Sequence, residues 1–399
     1  MFDTMRLEKY ADVLIWGLKT SRKKPFANGD IVLVRFDYPA LPLVEALYGK
    51  LMDMRLNPVL RLQLTAGMER DFYDLSGQKQ LTFVPPGEKE LVDNLSGLIS
   101  ILAPQSLTHL SHVDPADFGT FQKSRKFLRD IMDRREEQGE FGWTLCLYPT
   151  PALAEKAGLS LEEYAHQIEK ACYLNMAQPE QDWQKFWKAA QEIKAKLNSL
   201  DIESYHIESE GTDLHVTGGL KRRWVGITGH NIPSFEMYIS PDWRGTEGVF
   251  YADLPSYRSG NYIKGVKLTF KAGVVTDVQA EQGQEFTIKQ LNMDQGARRL
   301  GEFSLTDKRF SRIDRFMAHT LYDENFGGQN GNCHVAVGSS YSDTYAGDPA
   351  ELSLERKEEL GFNNSALHWD LINTEDKRVT AYLRGGGKTV IYEQGMFTL

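Results

Sequence analysis

Short apolar runs alternate with amphipathic stretches through the first half of the chain, and this alternation limits the possible folds more than any other feature of the sequence. The first cycle runs from Ile31-Val-Leu-Val-Arg35 through a helical stretch at 41–54 to Pro58-Val-Leu-Arg-Leu62. Apolar runs separated by a helix in this way predict βαβ units, whose strands pair in parallel. Further strand-like runs lie at 98–102 and 143–148, and further helical stretches at 118–137, 161–172 and 183–197. Residues 1–200 are therefore predicted to form an α/β domain with a parallel sheet.

After Leu200 the pattern changes to short alternating runs with turn residues between them, which is typical of antiparallel strands. The runs lie at 205–208, 213–216, 264–270, 274–280, 379–383 and 389–392. One helix is predicted from about Glu285 to Leu300, with Gly301 as its carboxyl-terminal cap. Residues 201–399 are therefore predicted to form a mostly antiparallel, β-rich domain with α insertions, and the fold class of the whole chain is α+β.

The charge and composition of the chain exclude several classes of partner. The formal net charge is -9 and the pI is near 5.6, whereas nucleic acid requires a basic face. No apolar run approaches the length of a membrane span, and the amino terminus lacks the basic head and apolar core of a signal peptide. The three cysteines form no Cys-x-x-Cys pair. A cytoplasmic protein with no nucleic-acid and no membrane partner is the expectation.

His368 and Asp370 are two residues apart on an extended segment, so their side chains project to the same face and could bind one metal ion. Other segments of the second half carry side chains that could converge with this pair. They are Glu236, Glu302 and His334, with Tyr341 seven residues beyond the last of these. Taken singly, each of these residues is more often a solvated or buried polar group than a ligand.

Two imidazoles and three carboxylates, with no thiolate, make a donor set that suits Zn, Co or Mn. Three carboxylates exceed what one cation needs, so a pair of divalent ions about 3.5 to 4 Å apart is the natural inference. Such a pair activates a shared water and polarises a carbonyl, which is the chemistry of amide or ester hydrolysis. Tyr341 could then donate a hydrogen bond to the developing oxyanion.

Other ionisable residues offer weaker alternatives. His230 precedes Asn231 and could be mistaken for a ligand. His109 and His112 could share a helix face, but the sequence places no third ligand near them. Asp323 and Glu324 lie close to the candidate site along the chain, and for Glu324 support of the loop is a simpler interpretation than a general base.

The order of several motifs resembles that of the aminopeptidase T family of metallopeptidases, the thermophilic aminopeptidases. The likeness covers nearly the full chain, from Glu8-Lys-Tyr-Ala-Asp12 to Gly395-Met-Phe397. The motifs nearest the candidate ligands are Asn231-Ile-Pro-Ser-Phe-Glu236, Gly296-Ala-Arg-Arg-Leu-Gly-Glu302, Leu321-Tyr-Asp-Glu-Asn325 and Asn364-Ser-Ala-Leu-His368-Trp-Asp370.

The resemblance implies a dimeric cytoplasmic exopeptidase that uses two divalent ions to remove amino-terminal residues from peptides with a free amino terminus. By position it implies that the metal ligands are the five candidates, with Tyr341 beside the metals. They are Glu236, Glu302, His334, His368 and Asp370. The chain departs from the family at Phe235, where a small, polar or acidic residue is usual, and at Gly327–Gly331, which lengthens the approach to His334. Two alternatives stay open: a metal-dependent hydrolase of another small amide, and a catalytically silent peptide-binding homologue.

Overall fold

The structure, a computed structural model, describes residues 2–348 and 352–399 and divides the chain into two compact units. One unit contains the residues up to Trp183 together with Thr228–Ser234. The other contains Gln184–Ile227 together with Phe235–Leu399. The chain therefore passes from one unit to the other three times, and a seven-residue segment in its middle belongs to the amino-terminal unit.

Helices and strands alternate up to residue 199. The helices are α1 (Thr4–Ser21), α2 (Leu41–Asp53), α3 (Ala66–Leu75), α4 (Gln78–Leu81), α5 (Glu88–Asn94), α6 (Pro115–Glu137), α7 (Pro151–Ala157), α8 (Leu161–Ala171) and α9 (Pro179–Ser199). The strands are β1 (Ile31–Phe36), β2 (Asn57–Leu62), β3 (Leu95–Leu102) and β4 (Gly142–Leu147).

Strands predominate after residue 199. They are β5 (Ile202–Glu208), β6 (Asp213–Thr217), β7 (Asn231–Ile232), β8 (Glu236–Ile239), β9 (Asp242–Ala252), β10 (Ser256–Arg258), β11 (Asn261–Ile263), β12 (Val266–Lys271), β13 (Val274–Gln279), β14 (Leu300–Thr306), β15 (Asn332–Gly338), β16 (His368–Asn373), β17 (Arg378–Leu383), β18 (Lys388–Glu393) and β19 (Met396–Phe397). The helices between them are α10 (Gln284–Leu291), α11 (Thr320–Asp323) and α12 (Leu354–Glu359).

The amino-terminal unit contains a five-stranded parallel sheet in the order β2-β1-β3-β4-β7. Its central strands are apolar along most of their length because both faces of a parallel sheet are covered. Helix α1 begins after Asp3, whose carboxylate accepts a hydrogen bond from the Arg6 amide at 2.8 Å, and Leu14 on its apolar face is fully buried. The predicted α/β arrangement with a parallel sheet is confirmed.

The second unit is built from antiparallel sheets. One has eight strands in the order β13-β12-β9-β6-β5-β17-β18-β19, one has four in the order β16-β15-β14-β8, and β10 pairs with β11. The helices α10, α11 and α12 lie in the connections between strands. The predicted α+β class is therefore confirmed.

The predicted helix over residues 285–300 is wrong in its second half. Helix α10 ends at Leu291, and the Asp294 carboxylate accepts hydrogen bonds from the amides of Gly296 and Ala297, which turns the chain instead of continuing the helix. Gly301 lies inside β14, where a Cβ atom would come within 2.4 Å of the Gly338 carbonyl oxygen. The glycine therefore permits a close approach of two strands and is not a helix cap.

Among the described residues, none of the helices combines the length and the apolar character that crossing a bilayer requires.

Candidate metal centre

The four-stranded sheet brings all five predicted ligands to one of its faces. Glu236 opens β8, Glu302 lies on β14, His334 on β15, and His368 and Asp370 on β16. Cross-strand partners in an antiparallel sheet point to the same side, and so do residues two apart on one strand. Several of their cross-strand partners are small or polar residues, which leaves room above the sheet: Thr306 opposite Glu236, Ala336 opposite both Glu302 and Asp370, Ser304 opposite His334, and Gly338 opposite His368. The partner of His334 on β16 is apolar, Ile372.

Glu302 is at the centre of the cluster. Its Oε1 lies 3.2 Å from His334 Nε2, and its Oε2 lies 3.7 Å from His368 Nε2. On the outer sides, His334 Nε2 lies 3.3 Å from Glu236 Oε2, and His368 Nε2 lies 3.3 Å from Asp370 Oδ1. The five side chains therefore form one continuous chain of contacts in which a carboxylate stands between the two imidazoles.

Burial and mutual charge set the protonation of this cluster. Burial raises the pKa of Glu236, and the charge of His334, which acts to lower it, does not cancel this effect. Burial disfavours a charged imidazole, but the Glu302 hydrogen bond to His334 and the Asp370 charge beside His368 outweigh it, so both histidines have a pKa of about 9. The charges of His368 and His334 outweigh burial at Asp370 and lower its pKa to about 2. Protons on the histidines therefore balance the carboxylates at neutral pH.

Backbone groups orient the ring of His368. Its Nδ1 donates a hydrogen bond to the Ser339 carbonyl oxygen at 2.9 Å, which leaves Nε2 facing Glu302 and Asp370. A histidine that binds a metal ion through one ring nitrogen usually donates a hydrogen bond from the other, because that bond fixes the tautomer and the orientation of the ring. His334 Nδ1 is buried and has no hydrogen-bond partner among the described residues, so the polar contacts of that ring come through Nε2 alone.

Tyr341 stands next to the cluster. Its ring centroid lies 4.7 Å from that of His368, and its backbone amide donates to Ser240 Oγ at 2.8 Å. The side chain is partly exposed. Partial burial, followed by the negative charges of Glu302 and Asp370, raises the pKa of the phenol, so the hydroxyl keeps its proton and can act as a donor.

The other histidines considered from the sequence lie elsewhere. In the amino-terminal unit, His230 Nε2 lies 2.8 Å from Glu136 Oε1 and its ring packs against Trp143. His109 pairs with Glu69 and His112 with Asp74, each at 2.8 Å, and they lie in a turn region and not on a helix. Each of these rings therefore contacts a carboxylate outside the five-residue cluster.

Asp323 and Glu324 are both buried beside the loop that leads to β15. The Asp323 carboxylate accepts hydrogen bonds from the amides of Met317 and His319 at 2.7 and 2.9 Å, and it therefore supports the loop. Burial, followed by the charges of Glu236 and Asp370, raises the pKa of Glu324 well above its usual range. Glu324 is thus a protonated acid within electrostatic reach of the cluster.

Phe235, where the sequence analysis predicts a departure from the family pattern, is a core residue. Its side chain is fully buried, and its ring packs edge-on against Phe186 with centroids 5.2 Å apart. Its backbone amide donates to Asn325 Oδ1. Phe235 therefore contributes its ring to packing, and its main chain is held by a side chain from the loop before β15.

The sequence did not indicate the role of Asn325. No pattern in the residues around it predicts that its side chain is buried or that it bonds to Phe235. Its Oδ1 accepts from Phe235, the residue before Glu236, while its Nδ2 donates to the Leu321 carbonyl oxygen at 3.0 Å. The side chain is fully buried and ties the start of β8 to the loop. It holds the residue before Glu236 and, among the described residues, forms no hydrogen bond with any of the five side chains.

Asn325→Ala is expected to raise the dissociation constant for Zn²⁺ about 10- to 100-fold, the range for outer groups that orient a ligand. Equilibrium dialysis of the metal-free protein measures it. Asn373→Ala is the matched control, because Asn373 is as deeply buried and donates to the Tyr251 carbonyl oxygen at 2.9 Å. Both variants are expected to lose about 1 to 3 kcal/mol of stability. Equal zinc affinity in the two would contradict the positioning role.

The chain is similar in sequence to a known family and to several known proteins. A family model described as thermophilic metalloprotease (M29) matches residues 3–397. Aminopeptidase 2 of Geobacillus stearothermophilus is 30% identical, with 77% of each chain covered. Aminopeptidase AmpS of Bacillus subtilis (strain 168) is 28% identical, covering 77% of this chain and 78% of its own.

The fold has a close counterpart among solved structures. The structure of wild-type AmpT from Thermus thermophilus superimposes with a TM-score of 0.81 over 99% of both chains, at 23% sequence identity. An aminopeptidase T, from Thermus aquaticus, is also 28% identical over 64% of this chain and 65% of its own. The resemblance drawn from the motifs is confirmed, since the family model spans nearly every residue. The chain therefore belongs to the thermophilic metalloprotease family M29, the family of aminopeptidase T.

Proposed function

We propose that this metallo-aminopeptidase removes amino-terminal residues from peptides with a free amino terminus, and that its five-residue cluster holds two divalent ions for this reaction. The observation that carries the proposal is the position of Glu302, whose two oxygens face different histidines. Zn, Co and Mn are the ions that the mixed imidazole and carboxylate donors fit.

The chemistry of the cluster fits a pair of cations. Three buried carboxylates on one sheet face repel one another, and the metal-free cluster compensates by holding protons on both histidines and on Glu236. Divalent ions would take the place of those protons. With one divalent ion, the three carboxylates would leave the cluster with a net charge of about -1. With two ions the net charge would be about +1, and a positive site favours an anionic nucleophile and the oxyanion that forms from a carbonyl.

The contacts divide the cluster into two halves that share Glu302. Glu236 and His334 would hold one ion, and His368 and Asp370 would hold the other, as their pairwise distances of 3.3 Å suggest. Glu302 would contribute to both halves, because one of its oxygens faces the histidine of each.

When bound, the ions would polarise the scissile carbonyl and lower the pKa of the attacking water. The chain itself supplies the remaining functions. The Ser339 carbonyl holds the His368 ring in one orientation. The Tyr341 hydroxyl, kept protonated by its surroundings, would donate a hydrogen bond to the tetrahedral oxyanion.

Tyr341→Phe is expected to lower kcat about 100-fold, with KM and metal content nearly unchanged, because it removes a hydrogen bond made only in the transition state. Steady-state kinetics with an aminoacyl reporter measures it. Tyr238→Phe is the matched control: its hydroxyl donates to Asp343 Oδ2 at 2.7 Å, and its ring lies 5.8 Å from that of Tyr341. An equal effect in both variants would assign Tyr341 a packing role only.

Metal analysis combined with a substrate panel tests the proposed function. The reporters are aminoacyl amides, short peptides, and the same peptides with an acetylated amino terminus, assayed before and after chelation. Hydrolysis that needs both the metal and a free amine supports an aminopeptidase. Equal turnover of acetylated peptides would favour a hydrolase of other small amides, and bound metal without turnover of any reporter would favour a silent peptide-binding homologue.

A further inference from the structure

Two histidines stack against each other on the eight-stranded sheet, away from the cluster described above. His206 on β5 and His215 on β6 are direct cross-strand partners. Their rings lie 3.9 Å apart and are nearly parallel, with an interplanar angle of 8°. Asp213 lies on the same face, two residues before His215, and its Oδ1 is 2.7 Å from His206 Nε2.

We propose that His206, Asp213 and His215 form a second, solvent-accessible metal site for Zn²⁺ or a similar borderline divalent ion, independent of the peptidase centre. Each residue offers one ligand atom, and the three atoms lie within 4.8 Å of one another. Two imidazoles and one carboxylate are the ligand set that zinc takes when a fourth position is left to water.

The separations are close to those of a bound state. In a tetrahedral zinc site with bonds of about 2.0 to 2.2 Å, ligand atoms lie about 3.4 Å apart. The present atoms are up to 4.8 Å apart, so the side chains must close by little more than 1 Å. The Asp213 side chain is 78% exposed and can turn without displacing a neighbour. The two stacked rings must also tilt apart, because an imidazole binds a metal ion in the plane of its ring. His215 is exposed, so rotation about its side-chain bonds can supply this tilt.

The backbone beneath the site is fixed, and an outer carboxylate is already in place. Strands β5 and β6 occupy the middle of the sheet, between β17 and β9, so their pairing does not fray as an edge would. Glu208 Oε2 lies 3.6 Å from His206 Nδ1, the ring nitrogen that does not face Asp213. A carboxylate behind a metal-binding histidine orients the ring and raises its basicity.

An ordinary surface contact between a histidine and a carboxylate accounts for only part of this arrangement. The contact between His206 and Asp213 would be satisfied by a hydrogen bond between those two residues. It does not involve His215, whose ring stacks on that of His206. A shared cation makes both rings and the carboxylate favourable at once.

The test titrates the metal-free full-length protein with Zn²⁺ by calorimetry and counts the bound equivalents. We expect the wild type to bind one equivalent more than His206→Ala or His215→Ala, or to bind that equivalent at least tenfold more tightly. Hydrolysis of an aminoacyl reporter is expected to be the same in all three proteins, because the variants lie outside the peptidase cluster.

His112→Ala is the matched control, because His112 is an exposed histidine that pairs with a single carboxylate, Asp74, at 2.8 Å. It is expected to bind as many equivalents as the wild type. Equal zinc stoichiometry and affinity in the wild type and both sheet variants would overturn the proposal, and so would an equal loss in His112→Ala. The comparison depends only on a difference between variants, so it is independent of how many ions the peptidase centre holds.

Discussion

Glu302→Gln is expected to lower kcat/KM for an aminoacyl reporter by about a thousandfold or more. The substitution keeps the size of the side chain but removes the charge that lies between His334 and His368. On the proposed assignment, both halves of the cluster lose a ligand together. Metal acting as a Lewis acid contributes several kcal/mol, and about 4 kcal/mol corresponds to about a thousandfold in rate. Steady-state kinetics and metal analysis on the same preparation measure the effect.

Asp307→Asn is the control for loss of a buried carboxylate. Asp307 is fully buried in the same unit and pairs with Arg309, so its replacement costs stability without touching the cluster. We expect this variant to keep its metal content and most of its turnover once folded. Glu302→Gln with wild-type turnover and full metal content would refute the assignment of Glu302 as the shared ligand.

The metal-free protein is expected to lose stability as the pH rises from 6.5 to 9. The folded state raises the pKa of His334 from 6.5 to about 9, so its stabilising contribution is complete below pH 6.5 and disappears as the pH rises through 9. The size of that shift corresponds to about 3 kcal/mol for this fully buried ring. His368 and Glu236, whose pKa values are also raised, act in the same direction. Thermal denaturation of chelated protein at several pH values measures the loss.

The metal-loaded protein provides the comparison, since bound ions replace the protons on these ligands. We expect its melting temperature to change little over the same interval, so the difference between the loaded and the metal-free protein should grow with pH. The contribution of Asp370 to stability changes with pH in the opposite direction. The folded state lowers its pKa from 3.8 to about 2, so its stabilising contribution is complete above pH 3.8 and is lost only in strong acid. A metal-free protein whose stability is flat between pH 6.5 and 9 would contradict this account.

Local periodicity accounts for what could be predicted from the sequence. The apolar runs between helices indicated the parallel sheet, because their composition reports burial on both faces. The alternation in the second half indicated antiparallel strands, and the spacing of His368 and Asp370 placed them on one side of one strand. The resemblance to a family supplied the remaining candidates, and the structure brings their side chains together.

Pairing between strands that are distant in the sequence accounts for much of what could not be predicted. Nothing near Glu302 in the sequence indicates that its neighbours in space are β15 and β8, and the stretch before it favoured a helix that the Asp294 turn ends early. The contact of Asn325 with Phe235 joins residues 90 positions apart. The pair of His206 and His215 was visible only as strand composition, because their stacking depends on which residues face each other across β5 and β6.

The arrangement of the five proposed ligands on one small sheet determines which changes in chain length this enzyme can tolerate. One extra residue inside β15 would turn His334 to the opposite side, and two would restore the side but move the imidazole about 6 to 7 Å along the strand. Either change would separate His334 from its carboxylates, whereas the connecting segments can grow without moving it. The stretch Gly327–Gly331, which we predict to be longer than is usual in the family, lies in such a connection, before Asn332 begins β15. Natural variation in length should therefore concentrate between these strands and be absent within them.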